Sequence, residues 1–444
     1  MRRTSYNFQM SSRMAPAPHP AAAAEARRAL ALLAAAVLLA MAPWFTTAAI
    51  VNQLRAAWRL TPAGAAWLTI AAQIGFVAGA LVSALFNLAD LLAPRALMLL
   101  GGLAAAAANA ALAGCHGFSA AWPWRFLTGA CLALVYPPAL KLLATWYRSG
   151  RGMALGVMVG ALTVGSALPH LVSAWGGADW RTVVLVTTAI TAVGGLGGGV
   201  AGRTGPYPFS RARFNPREVG KVLANRGVRL ATFGYLGHMW EMIAMWSWMG
   251  PFLAEAFARV GGSRPAAALA TFVVIGAGGV GCWRGGVRSD RGGRERAASL
   301  ALAISGICSL SIGWLRPYTG LGLTALLALA LIWGFWIVAD SAQFSTLVTE
   351  LSDPSYVGTA LTTQLGLGFT LAAVTVWLIP WILARGGWGW AFAVLALGPA
   401  LGLAAMARLA RLRELTRGGA LGAPVAREQP KGSAGGEAGR PRSE

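Results

Sequence analysis

"GGVRSDRGGRER", the stretch from Gly285 to Arg296, sets a dense group of charges between two strongly apolar segments. The segment before it reads AAALATFVVIGAGGVG, and the segment after it reads AASLALAISGICSL. Short loops that join membrane-spanning helices on the cytoplasmic side collect Lys and Arg in this way. The stretch therefore indicates two membrane spans and the side on which they meet. Its charged residues are Arg288, Asp290, Arg291, Arg294, Glu295 and Arg296.

The composition of the whole chain agrees with a membrane protein. Of the 444 residues, 56% are hydrophobic and 12% are charged, whereas about 25% of the residues in a soluble protein are charged. Apolar runs recur that reach the roughly 20 residues a helix needs to cross a bilayer. The net charge of +22 is attributed to cytoplasmic loops and not to a nucleic-acid partner, because no basic patch alternates with exposed aromatic residues.

Apolar runs bounded by charges, Pro and Gly predict an all-α integral membrane protein with twelve transmembrane helices. A polar loop, residues 203–230, predicts two pseudo-symmetric six-helix halves, residues 28–202 and 231–409. Disordered cytoplasmic tails are predicted for residues 1–27 and 410–444. The predicted spans are 29–53, 64–89, 96–115, 125–146, 153–175, 182–201, 231–256, 266–283, 299–314, 321–347, 358–381 and 387–408.

The distribution of positive charge predicts the orientation of these spans. With both termini in the cytoplasm, 28 Lys and Arg residues lie inside and 8 lie outside, and Lys141 lies within a span. Because cytoplasmic segments carry the excess of Lys and Arg, this split predicts cytoplasmic N- and C-termini and an even number of spans.

Asp290 is expected to lie at the start of a helix on the cytoplasmic face. A carboxylate is stabilised there by unpaired N–H groups and by the helix dipole. Span five, which starts near Met153, is the candidate partner. A loop held in this way acts as a conformational latch on the cytoplasmic side.

The segment from Gly286 to Arg294 resembles the G-x-x-x-D-R-x-G-R loop motif of the major facilitator superfamily. RFLTG, which begins at Arg125, is similar to the R-x-x-x-G motif of span four, and GALTVGSALP, which begins at Gly160, is similar to the Gly/Pro-rich motif of span five. Other phrases resemble uncharacterised bacterial permeases of this superfamily. The resemblance implies a multi-pass protein of the bacterial inner membrane.

In that family the loop motif occurs twice, and the resemblance implies latch roles for Asp290, Arg291 and Arg294. The first copy reads FNLADLLAPR: it retains Asp90 and has an Arg at 95, but Phe86 replaces the Gly and Leu91 replaces the Arg. Asp90 and Arg95 are therefore further latch candidates.

No motif predicts an enzyme. Two matches to G-x-G-x-x-G, GAGGVG and GGGVAG, follow no strand, so they predict close helix packing and not a nucleotide site. The four cysteines are scattered, which predicts no metal site and no cofactor beyond a proton gradient.

Two spans carry acidic residues that suit proton coupling. His238 and Glu241 in span seven are three residues apart and share a helical face. Burial disfavours the charged form of a carboxyl group, as a proton carrier requires. Asp340 in span ten is the second coupling candidate. The alternatives are a structural Glu–His pair and an interdomain gate, for which a bridge from Lys141 to Asp340 is a candidate.

The resemblance implies a central cavity lined by spans one, four, seven and ten. The candidate cavity residues are Arg125, Trp44, Thr47, Tyr136, Lys141, Gln343 and Gln364.

These observations predict a monomeric secondary transporter that works by alternating access, is coupled to protons and carries a small solute through the lipid bilayer. The cations Arg125, Lys141 and His238 favour a small organic anion. The alternatives are an exporter of amphipathic drugs and a non-transporting solute receptor.

Overall fold

The computed structural model describes residues 20–175, 177–207, 214–315, 317 and 319–421. For residues 20, 21, 89, 90 and 416–421 it describes only the backbone, so the side chain of Asp90 lies outside the described part. Of the predicted disordered tails, residues 1–19 and 422–444 likewise lie outside the described residues.

Every regular element of the described residues is a helix, as predicted. Three 3₁₀ turns, Leu112–Gly114, Pro216–Glu218 and Val394–Ala396, join the α-helices. The α-helices are α1 (Pro20–Ala40), α2 (Thr46–Ala49), α3 (Val51–Trp58), α4 (Pro62–Leu85), α5 (Leu88–Leu91), α6 (Pro94–Ala111), α7 (Phe118–Leu132), α8 (Tyr136–Ala144), α9 (Arg151–Ala174), α10 (Trp180–Ala201), α11 (Val219–Ala224), α12 (Arg226–Arg259), α13 (Arg264–Gly292), α14 (Arg294–Ile312), α15 (Gly320–Trp336), α16 (Ser341–Leu351), α17 (Val357–Ala393) and α18 (Leu397–Leu421).

Nine helical segments of the described residues are long and apolar enough to cross a membrane. The last of them, Val357–Leu415, covers two predicted spans, which meet at a non-helical residue, Gly387. Helices α1 and α12, which were predicted as spans one and seven, are not among the nine. The structure therefore supports a multi-pass helical protein, and the count of twelve spans stays a prediction.

Several helices begin where side-chain caps in the sequence allow them to begin. Asn225 accepts hydrogen bonds from the backbone N–H groups of Gly227 and Val228 at the start of α12. Asp179 accepts from two N–H groups at the start of α10. Such caps satisfy donors that the first turn of a helix leaves unpaired. A hydrogen bond from the hydroxyl of Thr182 lowers the pKa of Asp179 in this loop.

Predicted spans one, four and ten are each divided into shorter α-helices. Residues 41–45 separate α1 from α2, residues 133–135 separate α7 from α8, and residues 337–340 separate α15 from α16. The second interruption lies just before Pro137 and Pro138, which occupy the first turn of α8. Because proline lacks an N–H donor, it fits the first turn of a helix without the loss of a helical hydrogen bond. Interrupted helices in corresponding positions of two repeats are typical of transporter binding sites.

Glycine allows α9 and α13 to pack closely along their length. A side chain at Gly156 would meet the backbone of Cys282, and one at Gly286 would meet the backbone of Gly152. Helices in a membrane associate through such close contacts, since lipid and helix surfaces are equally apolar. A second long-range pair, α4 with α17, also joins the first part of the chain to the last.

We expect Gly281→Ala to lower the melting temperature of the purified protein, because a Cβ atom there would overlap the carbonyl oxygen of Phe335. Overpacking of this kind costs about 1–3 kcal/mol. Gly276→Ala is the matched control in the same helix, since no heavy atom lies within 4 Å of its added Cβ. The control should be neutral or stabilising, because alanine favours helix by about 1 kcal/mol over glycine. Equal melting temperatures for the two variants would contradict the packing.

Candidate functional site

The candidate site is built around the interruption that joins α15 to α16. Asp340 ends this interruption and precedes the first residue of α16, Ser341. The Oδ1 atom of Asp340 lies 2.9 Å from Nδ1 of His238 on α12. The other ring nitrogen of His238, Nε2, is 2.9 Å from the hydroxyl oxygen of Ser341. Since Asp340 and His238 are both buried, the three residues form an isolated polar group between two helices.

Glu241 lies one turn further along α12 and is 1% exposed. Its Oε2 atom accepts a hydrogen bond of 2.9 Å from the hydroxyl of Ser305 on α14. Its Oε1 atom accepts one of 2.8 Å from the indole N–H of Trp333 on α15. Glu241 is three residues after His238, so the two side chains share one face of α12. The structure thus brings together the three proton-coupling candidates of spans seven and ten in one buried cluster, which we call the acid cluster (His238, Glu241 and Asp340).

Two tyrosines connect the acid cluster to the first part of the chain. Tyr235 lies one turn before His238 on α12, and their rings are 6.2 Å apart. Tyr136, in the first turn of α8, packs against the same hydrophobic core as Tyr235. Both tyrosines are only partly buried. The interruption in span four therefore places Tyr136 at the core that α12 also contacts.

Arg125 is fully buried and is engaged by backbone oxygens. Its guanidinium group donates to the carbonyl oxygen of Pro43 at 2.9 Å and to that of Trp44 at 2.7 Å. A longer bond of 3.4 Å reaches the side-chain oxygen of Asn109. Both carbonyls belong to the interruption between α1 and α2, whereas Nε of Arg125 has no hydrogen-bond partner among the described residues.

Aromatic side chains join α4 to α17 beside this interruption. The ring of Trp44 lies 4.7 Å from that of Phe76 on α4 and 5.8 Å from that of Phe369 on α17. The indole N–H of Trp44 donates to the side-chain oxygen of Gln73, at 3.1 Å. Thr47 is also buried, and its hydroxyl is 3.3 Å from that of Thr69. We call Trp44, Phe76 and Phe369 the aromatic contact.

Several buried amides have polar atoms without a hydrogen-bond partner among the described residues. Neither amide atom of Gln343 has one, and neither does the side-chain nitrogen of Gln364 or Gln73. Buried polar groups are normally paired, so these amides have capacity to bind a polar molecule. Lys141 lies in the last turn of α8 and is half-buried, with its own side-chain interaction. The bridge from Lys141 to Asp340 stays a prediction.

The partners of the acid cluster were missed in the sequence. Ser305 and Trp333 stand in apolar runs where nothing distinguishes them from residues that face lipid. Tyr235 could have been found, because it is three residues before His238 and shares its helical face.

The loop stretch lies against the start of α9, where it was predicted. The carboxylate of Asp290 accepts hydrogen bonds from the backbone N–H groups of Gly152, at 3.1 Å, and Met153, at 3.0 Å. A carboxylate at a helix N-terminus gains about 0.3–1 kcal/mol, and more where it is partly buried. Its role as a latch stays a prediction.

A network of ion pairs extends from this loop to the end of α16. Arg294 pairs with Glu350 of α16 at 2.6 Å and lies 3.9 Å from Asp290. Arg413 of α18 pairs with Glu350 at 3.1 Å and with Glu295 at 2.7 Å. Exposed pairs contribute little singly, but several charges in a network hold one geometry. The loop is therefore tied to α16 as well as to α9.

The other two residues of the predicted latch are exposed. Arg291 lies at the end of α13, and Arg95 lies in the first turn of α6 against Gly202.

Comparison with known proteins gives one family. A family model described as Major Facilitator Superfamily matches residues 32–371, about three quarters of the chain. No curated protein matches the chain.

We expect Asp290→Asn to release the loop from α9, because a neutral amide loses the charge that the helix N-terminus stabilises. Spin labels would be attached at Ser149→Cys, just before α9, and at Thr349→Cys in α16, which are both exposed. Double electron–electron resonance then measures the distance between α9 and α16. The four native cysteines are buried, so the introduced ones label selectively. The population at longer distance should rise in Asp290→Asn. Glu414→Gln is the control, since Glu414 is exposed and takes no part in the ion pairs of the loop stretch. Identical distance distributions in all three proteins would contradict a latch.

Proposed function

Since the chain belongs to the major facilitator superfamily, we propose that it is a secondary transporter that moves a small solute by alternating access and couples this movement to protons. The observation that carries the proposal is the acid cluster, in which two carboxyl groups and an imidazole lie buried among apolar helices. Ionisable groups inside a membrane are costly and are functional candidates for that reason.

Proton coupling is supported by the surroundings of Glu241. Both of its oxygens accept from neutral donors, the hydroxyl of Ser305 and the indole of Trp333. A carboxylate taken out of water is stabilised far less by such donors than by water or a cation, so a buried acid tends to take up a proton. Asp340 and His238, which lie 2.9 Å apart, add two further ionisable groups to the same buried region. The cluster is therefore suited to hold a proton in one state and release it in another.

The helix α16 supplies a mechanical link from the cluster to the loop stretch. Ser341 at its start contacts His238, and Glu350 in its last turn pairs with Arg294. A helix of 11 residues moves as one unit over its length. A change of charge at Asp340 that shifts the start of α16 would thus disturb the ion pairs at its end, and with them the hold of Asp290 on α9.

Two closures would open in turn. In the predicted orientation, the first closure is the contact of Asp290 with the start of α9, which holds α9 and α13 together at the cytoplasmic side. The second closure is the aromatic contact, which joins α4 to α17. Alternating access requires that one closure break while the other holds. We further propose that the two halves, residues 28–202 and 231–409, rock against each other, and that the protein is monomeric in a bacterial inner membrane with both termini cytoplasmic.

The proposed solute is a small organic anion, and this preference rests on the three cations predicted for the cavity, Arg125, Lys141 and His238. All three interact with other groups of the protein, and a bound anion would compete with those interactions. An exporter of amphipathic compounds is the second candidate. The aromatic contact and the unpaired amides of Gln73 and Gln364 favour it, because they offer stacking surface together with hydrogen-bond donors.

We expect Glu241→Gln to abolish uptake driven by a pH gradient in liposomes that contain the purified protein, because the amide cannot carry a proton. Exchange of solute down its own gradient should remain. The assay would use a panel of small carboxylates, sugars and amphipathic drugs. Glu255→Gln is the matched control, since Glu255 is on the same helix but is exposed and pairs with Arg259.

Gradient-driven uptake that survives in Glu241→Gln would contradict coupling at this residue. Tight binding of a compound without flux would favour a solute receptor.

A further inference from the structure

A second polar site lies on the cytoplasmic side of the predicted topology, away from the acid cluster. A groove of about 600 Å³ is formed by the end of α13 and the start of α14. Four arginines line it: Arg284, Arg288, Arg291 and Arg296. None of the residues that line the groove is acidic. We call this feature the arginine groove.

Three of the arginines form a row on one face of α13. Arg284, Arg288 and Arg291 follow the spacing i, i+4 and i+7, which places their side chains one above the other. At 1.5 Å per residue the row extends roughly 10 Å along the helix axis. That length spans the headgroup layer next to the hydrocarbon core, since headgroups add about 5–7 Å on each side of a bilayer. Arg296 approaches the row from α14.

The positive charge of the groove is not balanced within the loop stretch. Its two carboxylates are used elsewhere, because Asp290 accepts from the start of α9 and Glu295 pairs with Arg413. All four arginines are exposed, as a binding surface requires. An anion that enters the groove therefore meets four guanidinium groups that form no ion pair among the described residues.

The floor of the groove is apolar. Trp283, which is 44% exposed, lies beside Val287 and Ala297. The guanidinium of Arg284 lies 5.9 Å from the ring of Trp283. Tryptophan is enriched where a membrane meets water, because its ring is apolar and its N–H is polar. The groove thus joins a phosphate-binding edge to a surface suited to the glycerol and first methylenes of a lipid.

We propose that the arginine groove binds the phosphate of an anionic phospholipid. Guanidinium groups pair with phosphate through two parallel hydrogen bonds, and several converge here. Basic pockets on the cytoplasmic side of membrane helices attract anionic headgroups in the same way. The apolar floor and its position at the end of a membrane-crossing helix favour a lipid over a soluble phosphate.

Native mass spectrometry of the full-length protein tests this site. The variant is Arg284→Gln/Arg288→Gln/Arg296→Gln, which leaves the predicted latch residue Arg291 in place. The control, Arg217→Gln/Arg226→Gln/Arg229→Gln, removes three exposed arginines of the same predicted side. Phosphatidylglycerol should bind about fivefold more weakly for each groove arginine removed, and the control should bind as the unaltered protein does. Arg288→Gln alone should show a partial loss and serves if the triple variant does not fold.

Three outcomes would overturn the proposal. Equal losses in variant and control would indicate general charge attraction. Equal retention of phosphatidylcholine and phosphatidylglycerol would show that the negative charge of the lipid is not recognised. Displacement of phosphatidylglycerol by inorganic phosphate at an equal concentration would identify a soluble phosphate as the ligand.

Discussion

The bilayer interior offers no hydrogen-bond partner, so each interruption of a membrane helix must be satisfied by the protein itself. This constraint explains the position of Arg125, whose guanidinium group donates hydrogen bonds to the carbonyl oxygens of Pro43 and Trp44. It also explains Cys282, whose thiol lies 3.1 Å from the carbonyl oxygen of Val338 in the interruption before α16. A chain that breaks its helices at these points must supply polar side chains in the membrane. The candidate site consists of such side chains around the interruption between α15 and α16.

The same interruption places the acid cluster where a small movement has distant effects. Asp340 lies at one end of α16 and Glu350 at the other. Glu350 pairs with Arg294 of the loop stretch and with Arg413, which also pairs with Glu295 of that stretch. Glycine-to-backbone contacts between α9 and α13 leave little room for gradual deformation. Close-packed interfaces of this type favour two discrete arrangements over a continuum. The proposed cycle uses this property, with protonation in the cluster as the bias between the two arrangements.

Sequence patterns predicted the features that charge and composition control. The charged stretch from Gly285 to Arg296 predicted the two helices that adjoin it and the position of the Asp290 carboxylate at the start of α9. Pro137 and Pro138 in span four are a sequence signal for the interruption that lies just before them. The interruption at residues 337–340 was not predicted, because IVAD contains neither Gly nor Pro.

The partners of predicted site residues depend on long-range packing that no local pattern encodes. Arg125 was predicted as a cavity residue, but its hydrogen bonds to backbone oxygens could not be predicted, because those oxygens become available only where span one is broken. Glu241 was recognised, whereas Ser305 and Trp333, which donate hydrogen bonds to its two oxygens, were not.

The proposed coupling depends on the exchange of a proton at Glu241. Difference infrared spectroscopy of the purified protein across a pH step, with Glu241→Gln and Glu255→Gln alongside, measures this directly. A carboxylic-acid carbonyl band that titrates in the unaltered protein and in Glu255→Gln but is missing in Glu241→Gln is the predicted result. The same band in all three proteins would contradict it.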